Sequence, residues 1–151
     1  MRKKKSRKRL KGAGLIGLMV IVALVIVSLV YVSNYYHVQD RQAALESTDD
    51  VKVEEAEYGY FSMDRAMIQL IFYPGAKVED LTYASLLKQL AVDGIDCYLV
   101  HMPGNLAFMG MNRADKIMET YSYDHWYLAG HSLGGAMAAV YADKNSESWM
   151  D

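Results

Sequence analysis

The sequence is poor in cysteine, and its first 39 residues contain no acidic side chain. Because Cys97 is the only cysteine, no intrachain disulfide can form, and packing must stabilise the folded part of the chain. Cys97 lies in a run predicted to be a buried strand, residues 95–100, and we interpret it as a structural thiol. The lack of early acids sets the N-terminal part apart from the rest.

The charges are divided unevenly along the chain. Eight of the 16 basic residues lie in the segment 1–11, and all 18 acidic residues follow residue 39. The eight remaining basic residues therefore face 18 acids, so the later part has a net charge of −10, which argues against nucleic acid as its partner. The alternative interpretation of the basic segment is a nucleic-acid patch or a nuclear localisation signal. Beside an apolar stretch, we interpret it as a topology signal.

An apolar stretch follows the basic segment directly. Residues 12–32 contain no charged side chain and are mostly Leu, Ile, Val, Ala and Met. About 20 such residues form a helix long enough to cross a hydrocarbon core of roughly 30 Å. No A-x-A cleavage site follows, so residues 12–33 are predicted to be a retained transmembrane anchor, with a cleaved signal peptide as the alternative. The basic side would then be cytoplasmic, and the chain after about residue 35 would lie outside the cytoplasm.

The remaining chain predicts an α/β domain behind a short tether. Residues 34–50 are polar and are interpreted as the tether, and residues 51–151 as a partial α/β domain. Hydrophobic spacing predicts edge strands in 51–63, buried strands at 67–73, 95–100 and 126–129, and helices at 78–92, 112–121 and from 136 onward. Alternation of strands and helices is typical of a mostly parallel sheet with flanking helices. A sheet that stops after three central strands would leave one strand edge unpaired.

The segment Gly130-His131-Ser132-Leu133-Gly134-Gly135 matches the G-x-S-x-G nucleophile elbow. A buried strand is predicted before it and a small-residue helix after it, which is the context that this motif requires. Positions 130 and 134 must be small because the turn is sharp, and Ser132 is the predicted nucleophile. A glycine-rich turn with an incidental serine is the alternative. Phosphate-binding patterns with G-x-G-x-x-G or a lysine after the glycines are absent.

A serine nucleophile also needs donors for an oxyanion. The first is the backbone N–H of Leu133, and the second is expected from the loop after the first central strand. That loop contains Pro74, Gly75 and Ala76, and the Ala76 N–H is our candidate donor. An ordinary turn is the alternative. The pocket wall is predicted to include Tyr73, His101, Met102 and residues 106–109, although the last stretch could equally be core.

Residues 66–143 resemble the first half of an α/β-hydrolase of the esterase and lipase kind. The resemblance rests on FYPGAKV, on the strand that leads to HMPG, and on GHSLGG. This part of the chain resembles the α/β-hydrolase fold-5 family, which is similar to dienelactone hydrolases and small esterases. The resemblance implies that residues 51–151 form a partial α/β-hydrolase domain. Dienelactone hydrolases generally use a cysteine nucleophile, whereas this chain has Ser132.

The other members of a catalytic triad are not found after the serine. In this fold an acid and then a histidine follow the nucleophile, but no histidine follows Ser132. His37 lies in the tether, His125 begins the strand at the wrong sheet end, and His131 is predicted to point away from the pocket. His101 follows its strand at the carboxyl-end edge of the predicted sheet, where ligands bind, but has no acid partner evident in the sequence. The expected account is a truncated product or a partial sequence.

Two functions follow from these predictions. The first is a membrane-anchored serine hydrolase that acts on a small-molecule ester or related acyl bond, with acyl transfer to an alcohol as a variant. The second is a non-catalytic fragment or pseudoenzyme binding module. The spacing of the histidines predicts no metal site, and no cofactor is expected. The sequence gives no indication of the oligomeric state or the substrate.

Overall fold

The computed structural model describes residues 2–55, 58–62 and 67–146, with the backbone alone for residues 2–13. The chain divides into two compact units, one ending at Asn34 and one beginning at Tyr35. Glu147 and Asp151, the last acids of the sequence, lie outside the described residues, as do residues 63 and 66 of the predicted edge-strand and family-like segments.

The first unit is a single long helix, α1 (Arg2–Ser33). Its part Gly14–Ser33 has 20 residues and is apolar enough to cross a membrane. At 1.5 Å per residue this part is about 30 Å long. Its side chains are not buried in any core, as shown by Leu15 and Leu24, which are 60% and 62% exposed. The apolar helix predicted at 12–33 is therefore present, in a form shared by membrane anchors and signal sequences.

The second unit is a five-stranded sheet with helices on both faces. Its strands are β1 (Lys52–Glu55), β2 (Gly59–Ser62), β3 (Ile68–Tyr73), β4 (Ile95–Leu99) and β5 (Tyr127–Gly130). Its helices are α2 (Arg41–Leu45), α3 (Ala84–Val92), α4 (Arg113–Thr120) and α5 (Leu133–Lys144), with short 3-10 turns at Asp80–Tyr83, Pro103–Asn105 and Ala107–Met109. The α/β fold predicted from the sequence is confirmed.

The strand order is β1-β2-β4-β3-β5, which puts β3 between β4 and β5. The three predicted buried strands are parallel, with Phe72 opposite Leu99 and Tyr73 opposite Gly130. β2 pairs antiparallel with both β1 and β4. The carboxyl ends of β3, β4 and β5 therefore meet at one edge of the sheet. Within the described residues, β5 has β3 on one side and no strand on the other.

Two apolar clusters fill the two faces of the sheet. On one face, Leu87 and Ala91 of α3 pack with Phe72, Cys97 and Leu99. On the other face, Ile117 of α4 and Ala138 of α5 pack with side chains that include Ile71, Tyr73 and Tyr98. Neighbouring residues of β3 and β4 alternate between the faces because successive strand side chains point in opposite directions.

The Cys97 thiol is fully buried in the first cluster. Burial raises the pKa of this thiol to about 12, and the nearby Asp96 adds to the effect. A thiol with so high a pKa stays protonated near neutral pH, and its position leaves no access for reagents. Its structure fits the structural role predicted from the sequence.

Two helix starts differ from their predicted positions. The helix expected over 78–92 begins only at Ala84, because Val78 forms a parallel bridge with Tyr36 and a 3-10 turn follows. The helix expected from 136 begins three residues earlier, at Leu133, immediately after the turn. The sharp turn at Ser132 allows the helix to start there without a linker.

The polar segment 34–50, interpreted as a tether, makes contacts with the domain. Ala44 is 8% exposed and belongs to the first cluster, and Val38 and Leu45 pack against that cluster. Asp40 caps α2 by accepting the Ala43 N–H at 3.0 Å. From Tyr35 onward this segment is thus part of the second unit.

Candidate functional site

The carboxyl ends of the three parallel strands support three connections at one sheet edge. They are the loop at 74–79 after β3, the loop at 100–112 after β4, and the turn at 131–132 between β5 and α5. Ligands of open α/β sheets bind outside these strand ends. This edge is therefore the candidate active site.

The turn between β5 and α5 holds Ser132 in an unusual backbone conformation. Its φ is 53° and its ψ is −122°, a region that residues with a side chain rarely adopt. Two hydrogen bonds support the turn, from the His131 N–H to Tyr73 O at 3.1 Å and from the Gly134 N–H to His131 O at 2.9 Å. Ser132 is exposed, and its hydroxyl does not cap α5. A free hydroxyl thus stands at the N-terminus of a helix.

Glycines allow α5 to approach the strands at this turn. A Cβ added at Gly134 would lie 2.1 Å from Tyr73 O and 2.3 Å from Pro74 O. A Cβ added at Gly130 would lie 2.6 Å from Gly135 N, and one added at Gly135 would lie 2.9 Å from Gly130 O. All of these neighbours are backbone atoms, which cannot move aside as a flexible side chain can. The close packing therefore requires glycine at these positions.

The loop after β3 lies beside the turn. Pro74 is fully buried, and a Cβ added at Gly75 would lie 2.7 Å from the His131 Nδ1. Within the described residues, neither the Ala76 N–H nor the Leu133 N–H donates a hydrogen bond to the protein. Both amides are thus available to a ligand, and the Leu133 amide lies at the positive end of the α5 dipole.

Tyr83 connects this loop to the turn, and the sequence analysis assigned it no role. The Gly75 N–H donates to the Tyr83 hydroxyl at 3.1 Å, and that hydroxyl lies 2.9 Å from the His131 Nδ1. When the imidazole carries its proton at Nε2, the hydroxyl donates to Nδ1 and completes a chain of three groups. The sequence predicted only that His131 points away from the pocket. In the structure its ring is hydrogen-bonded to the Tyr83 hydroxyl. The only sequence signal for this contact is a tyrosine in the turn that precedes α3.

His101 has a carboxylate partner, which corrects the sequence analysis. Its Nδ1 lies 2.9 Å from Asp80 Oδ2, and Arg113 donates to its carbonyl oxygen at 2.7 Å. The His101 side chain is 56% exposed, whereas that of Asp80 is 14% exposed. Asp80 was predicted to lie in a helix, but it opens the 3-10 turn instead, and this brings its carboxylate to the end of β4. The His101–Asp80 pair therefore lies at the sheet edge where the carboxyl ends of the parallel strands meet.

The predicted pocket wall divides into core and surface. Tyr73 and Met102 are 0% and 2% exposed, and the Tyr73 hydroxyl donates to Met111 O at 2.7 Å, so both are core residues. Ala107 is buried, whereas Phe108 and Met109 are 58% and 57% exposed. Of the predicted apolar wall, only these last two side chains present a large exposed surface.

The other histidines lie elsewhere in the domain. His37 is in the segment before α2, where its Nδ1 lies 3.5 Å from Glu79 Oε2, and His125 is exposed before β5. In the described part of the chain, no group of three or more His, Cys, Asp or Glu side chains could hold a metal ion.

Replacing Gly134 with alanine tests the close packing of α5. We expect Gly134→Ala to lower the free energy of unfolding by about 3 kcal/mol, since its methyl group would overlap two backbone oxygens. Equilibrium urea unfolding of the full chain in detergent, followed by tryptophan fluorescence, measures this loss. Gly94→Ala is the control: its Cβ meets nothing within 4 Å and has only the strain of φ 88°, about 1 kcal/mol. Equal losses would contradict the steric explanation.

Removing the Tyr83 hydroxyl tests the connection between loop and turn. Tyr83→Phe keeps the ring packed on Phe72, whose centroid lies 4.9 Å away, but leaves the Gly75 N–H without its acceptor. We expect amide hydrogen exchange at Gly75 to become about fivefold faster, because one hydrogen bond contributes about 1 kcal/mol. The exposed Tyr127 supplies the control variant Tyr127→Phe, which should leave that rate unchanged. An unchanged rate in Tyr83→Phe would mean that the hydroxyl does not hold the loop.

The sequence was compared with models of known protein families, and one family matches the part of the chain that contains this site. The model of the alpha/beta hydrolase family matches residues 69–150, which is more than half of the chain and includes both the loop after β3 and the turn at Ser132. A search of curated proteins gives no significant match. The match supports hydrolase function in general terms and agrees with the mixed sheet, its flanking helices and the position of the turn. The chain therefore belongs to the alpha/beta hydrolase family.

Proposed function

We propose that this chain is a serine hydrolase that acts on an ester or a related acyl bond, with Ser132 as its nucleophile. The observation that carries the proposal is the strained and exposed Ser132 at the start of α5, together with the Leu133 and Ala76 amides, which have no protein partner within the described residues. Strain of this kind costs about 1–3 kcal/mol and persists where the surrounding structure holds it in place. Family membership supports hydrolysis as the reaction class.

The chemistry follows from the placement of these groups. The Ser132 Oγ would attack the substrate carbonyl carbon and lose its proton to a base, while the carbonyl oxygen becomes an oxyanion. The N–H groups of Leu133 and Ala76 would donate to that oxygen, and each such donor lowers the barrier by roughly 3 kcal/mol. Collapse of the intermediate releases the alcohol, and water then cleaves the acyl-serine. An alcohol in place of water would give acyl transfer.

The mechanism also needs a base that accepts the Ser132 proton. In this fold the histidine follows the nucleophile along the chain, and no histidine follows Ser132 in this sequence. A binding module that keeps the fold without catalysis is the second candidate, because within the described residues no histidine is hydrogen-bonded to the Ser132 hydroxyl. His101 lies at the same sheet edge as Ser132 and has the Asp80 carboxylate 2.9 Å from its Nδ1, so it is included in the test.

A fluorophosphonate probe distinguishes the two candidates, because it reacts with an activated serine and with little else. We expect labelling of the full chain in detergent, its complete loss in Ser132→Ala, and no loss in Ser85→Ala, which removes an exposed serine of α3. Labelling that also disappears in His101→Ala would identify that imidazole as the activating base. No labelling of the wild type, or equal labelling of Ser132→Ala, would contradict the serine hydrolase proposal in this chain and favour the binding module.

We further propose that α1 anchors the domain to a membrane, with its N-terminus cytoplasmic and the hydrolase domain outside. Its apolar 20-residue part and the eight basic residues before it support this arrangement. The buried Cys97 leaves the wild type without a reactive thiol, so a single introduced cysteine reports its own location.

Thiol labelling in intact cells tests this orientation. We expect a membrane-impermeant maleimide to label Asp49→Cys from outside, and Ser6→Cys only after the membrane is permeabilised. The unmodified chain is the control and should remain unlabelled in both conditions. The reverse pattern would overturn the orientation, and recovery of the domain free in the medium would favour a cleaved signal sequence.

A further inference from the structure

The segment that follows α1 is fastened to the loop that carries the Ala76 amide. The Tyr36 N–H donates to Lys77 O at 2.8 Å, and the Glu79 N–H donates back to Tyr36 O at the same distance. These two bonds form a short parallel bridge between Tyr36 and Val78. The backbone at 35–37 thus lies alongside the end of the loop.

The Glu79 side chain strengthens this bridge. It accepts the Val38 N–H at 3.0 Å through Oε2 and a hydrogen bond from Arg41 at 3.3 Å through Oε1. The His37 Nδ1 is 3.5 Å from the same Oε2. Only 18% of the Glu79 side chain is exposed, so its ion pair is screened less than one on the open surface. The Glu79 carboxylate therefore contacts His37, Val38 and Arg41 of the segment that follows α1.

Further contacts hold the segment from the other side. Arg41 also pairs with Glu55 of β1, and the Lys88 Nζ of α3 donates to Ala43 O at 2.8 Å. Ala44 is buried against the first cluster. These contacts tie the segment to the rigid sheet and to α3, so that it can serve as a fixed support for the loop.

The Ala76 amide lies between two fixed points of the loop. On one side, the Gly75 N–H is bonded to Tyr83. On the other side, Lys77 has a φ of 57°, its N–H donates to Asn105 O at 2.8 Å, and its carbonyl oxygen accepts from Tyr36. A residue with a positive φ returns to a commoner conformation unless its neighbours restrain it. The direction of the Ala76 N–H depends on these restraints.

We propose that Glu79 is a positioning residue for the oxyanion site: it docks segment 35–45 against the loop and so fixes the direction of the Ala76 N–H. This inference rests on the proposed function for its catalytic meaning, because Ala76 is the second proposed oxyanion donor. The docking itself is a property of the fold and is measurable without catalysis. Glu79 acts through Lys77 and Tyr36 and need not touch a substrate.

Amide hydrogen exchange of the full chain in detergent tests the docking. We expect Glu79→Ala to speed exchange at Tyr36, Val38 and Lys77 by about tenfold or more, since hydrogen bonds to a charged group are the stronger kind. Glu79→Gln keeps an acceptor for Val38 but loses the charge, so its rates should fall between those of the wild type and Glu79→Ala. Glu46→Gln is the matched control, because Glu46 is exposed at the end of α2, and it should change nothing.

Two results would overturn the proposal. The first is faster exchange at Tyr36 and Val38 with no change at Lys77, which would mean that the segment detaches without loosening the loop. The second is an equal rise at Ile71 and Tyr98 in the core strands, which would make Glu79 a residue of global stability. In a chain that the fluorophosphonate labels, Glu79→Ala should lower the maximal labelling rate and leave the half-saturating concentration unchanged. An unlabelled wild type would contradict the proposed function alone and leave the exchange comparison intact.

Discussion

Close packing between the start of α5 and the carboxyl ends of β3 and β5 determines the rest of this site. The helix approaches so closely that a single methyl group at Gly134 would overlap the backbone oxygens of Tyr73 and Pro74. With the helix in this position, the chain passes from β5 into α5 through a turn with a positive φ at Ser132. The same contact brings the loop after β3 beside the turn, because Tyr73 O accepts the His131 N–H. Serine exposure and loop placement therefore have one steric origin.

The loop after β3 is restrained by side chains from distant parts of the sequence. Tyr83 connects it to the turn, and Glu79 connects it to the segment that follows α1. Each restraint is a small number of hydrogen bonds, worth about 1 kcal/mol or somewhat more where a charge is involved. This free energy is small compared with that of packing the sheet, but it is enough to favour the observed loop conformation over an alternative of similar energy. The geometry of the proposed oxyanion site thus depends on weak contacts supported by a rigid core.

The sequence predicted the elements of the fold because they produce local patterns. Apolar runs identified β3, β4 and β5, and the glycines around Ser132 marked the turn. What it missed are contacts between residues far apart in the chain: His131 with Tyr83 is separated by 48 positions, Val38 with Glu79 by 41, and His101 with Asp80 by 21. Such pairs leave no periodic signal. The bridge between Tyr36 and Val78 also explains why helical spacing over 78–92 failed to predict the start of α3.

The strain at Ser132 bears on the choice between an enzyme and a binding module. A strand-to-helix connection does not need a positive φ at a residue with a side chain, and glycine in that position would relieve the strain. Glycine already occupies 130, 134 and 135, where space demands it, yet a serine occupies position 132 of the same turn, whose backbone conformation favours glycine. The hydroxyl held there is exposed, and the Leu133 and Ala76 amides have no protein partner in the part of the chain that the structure describes. An exposed hydroxyl in a restrained backbone conformation is what a nucleophilic serine needs, so the conformation of Ser132 supports the proposed nucleophile.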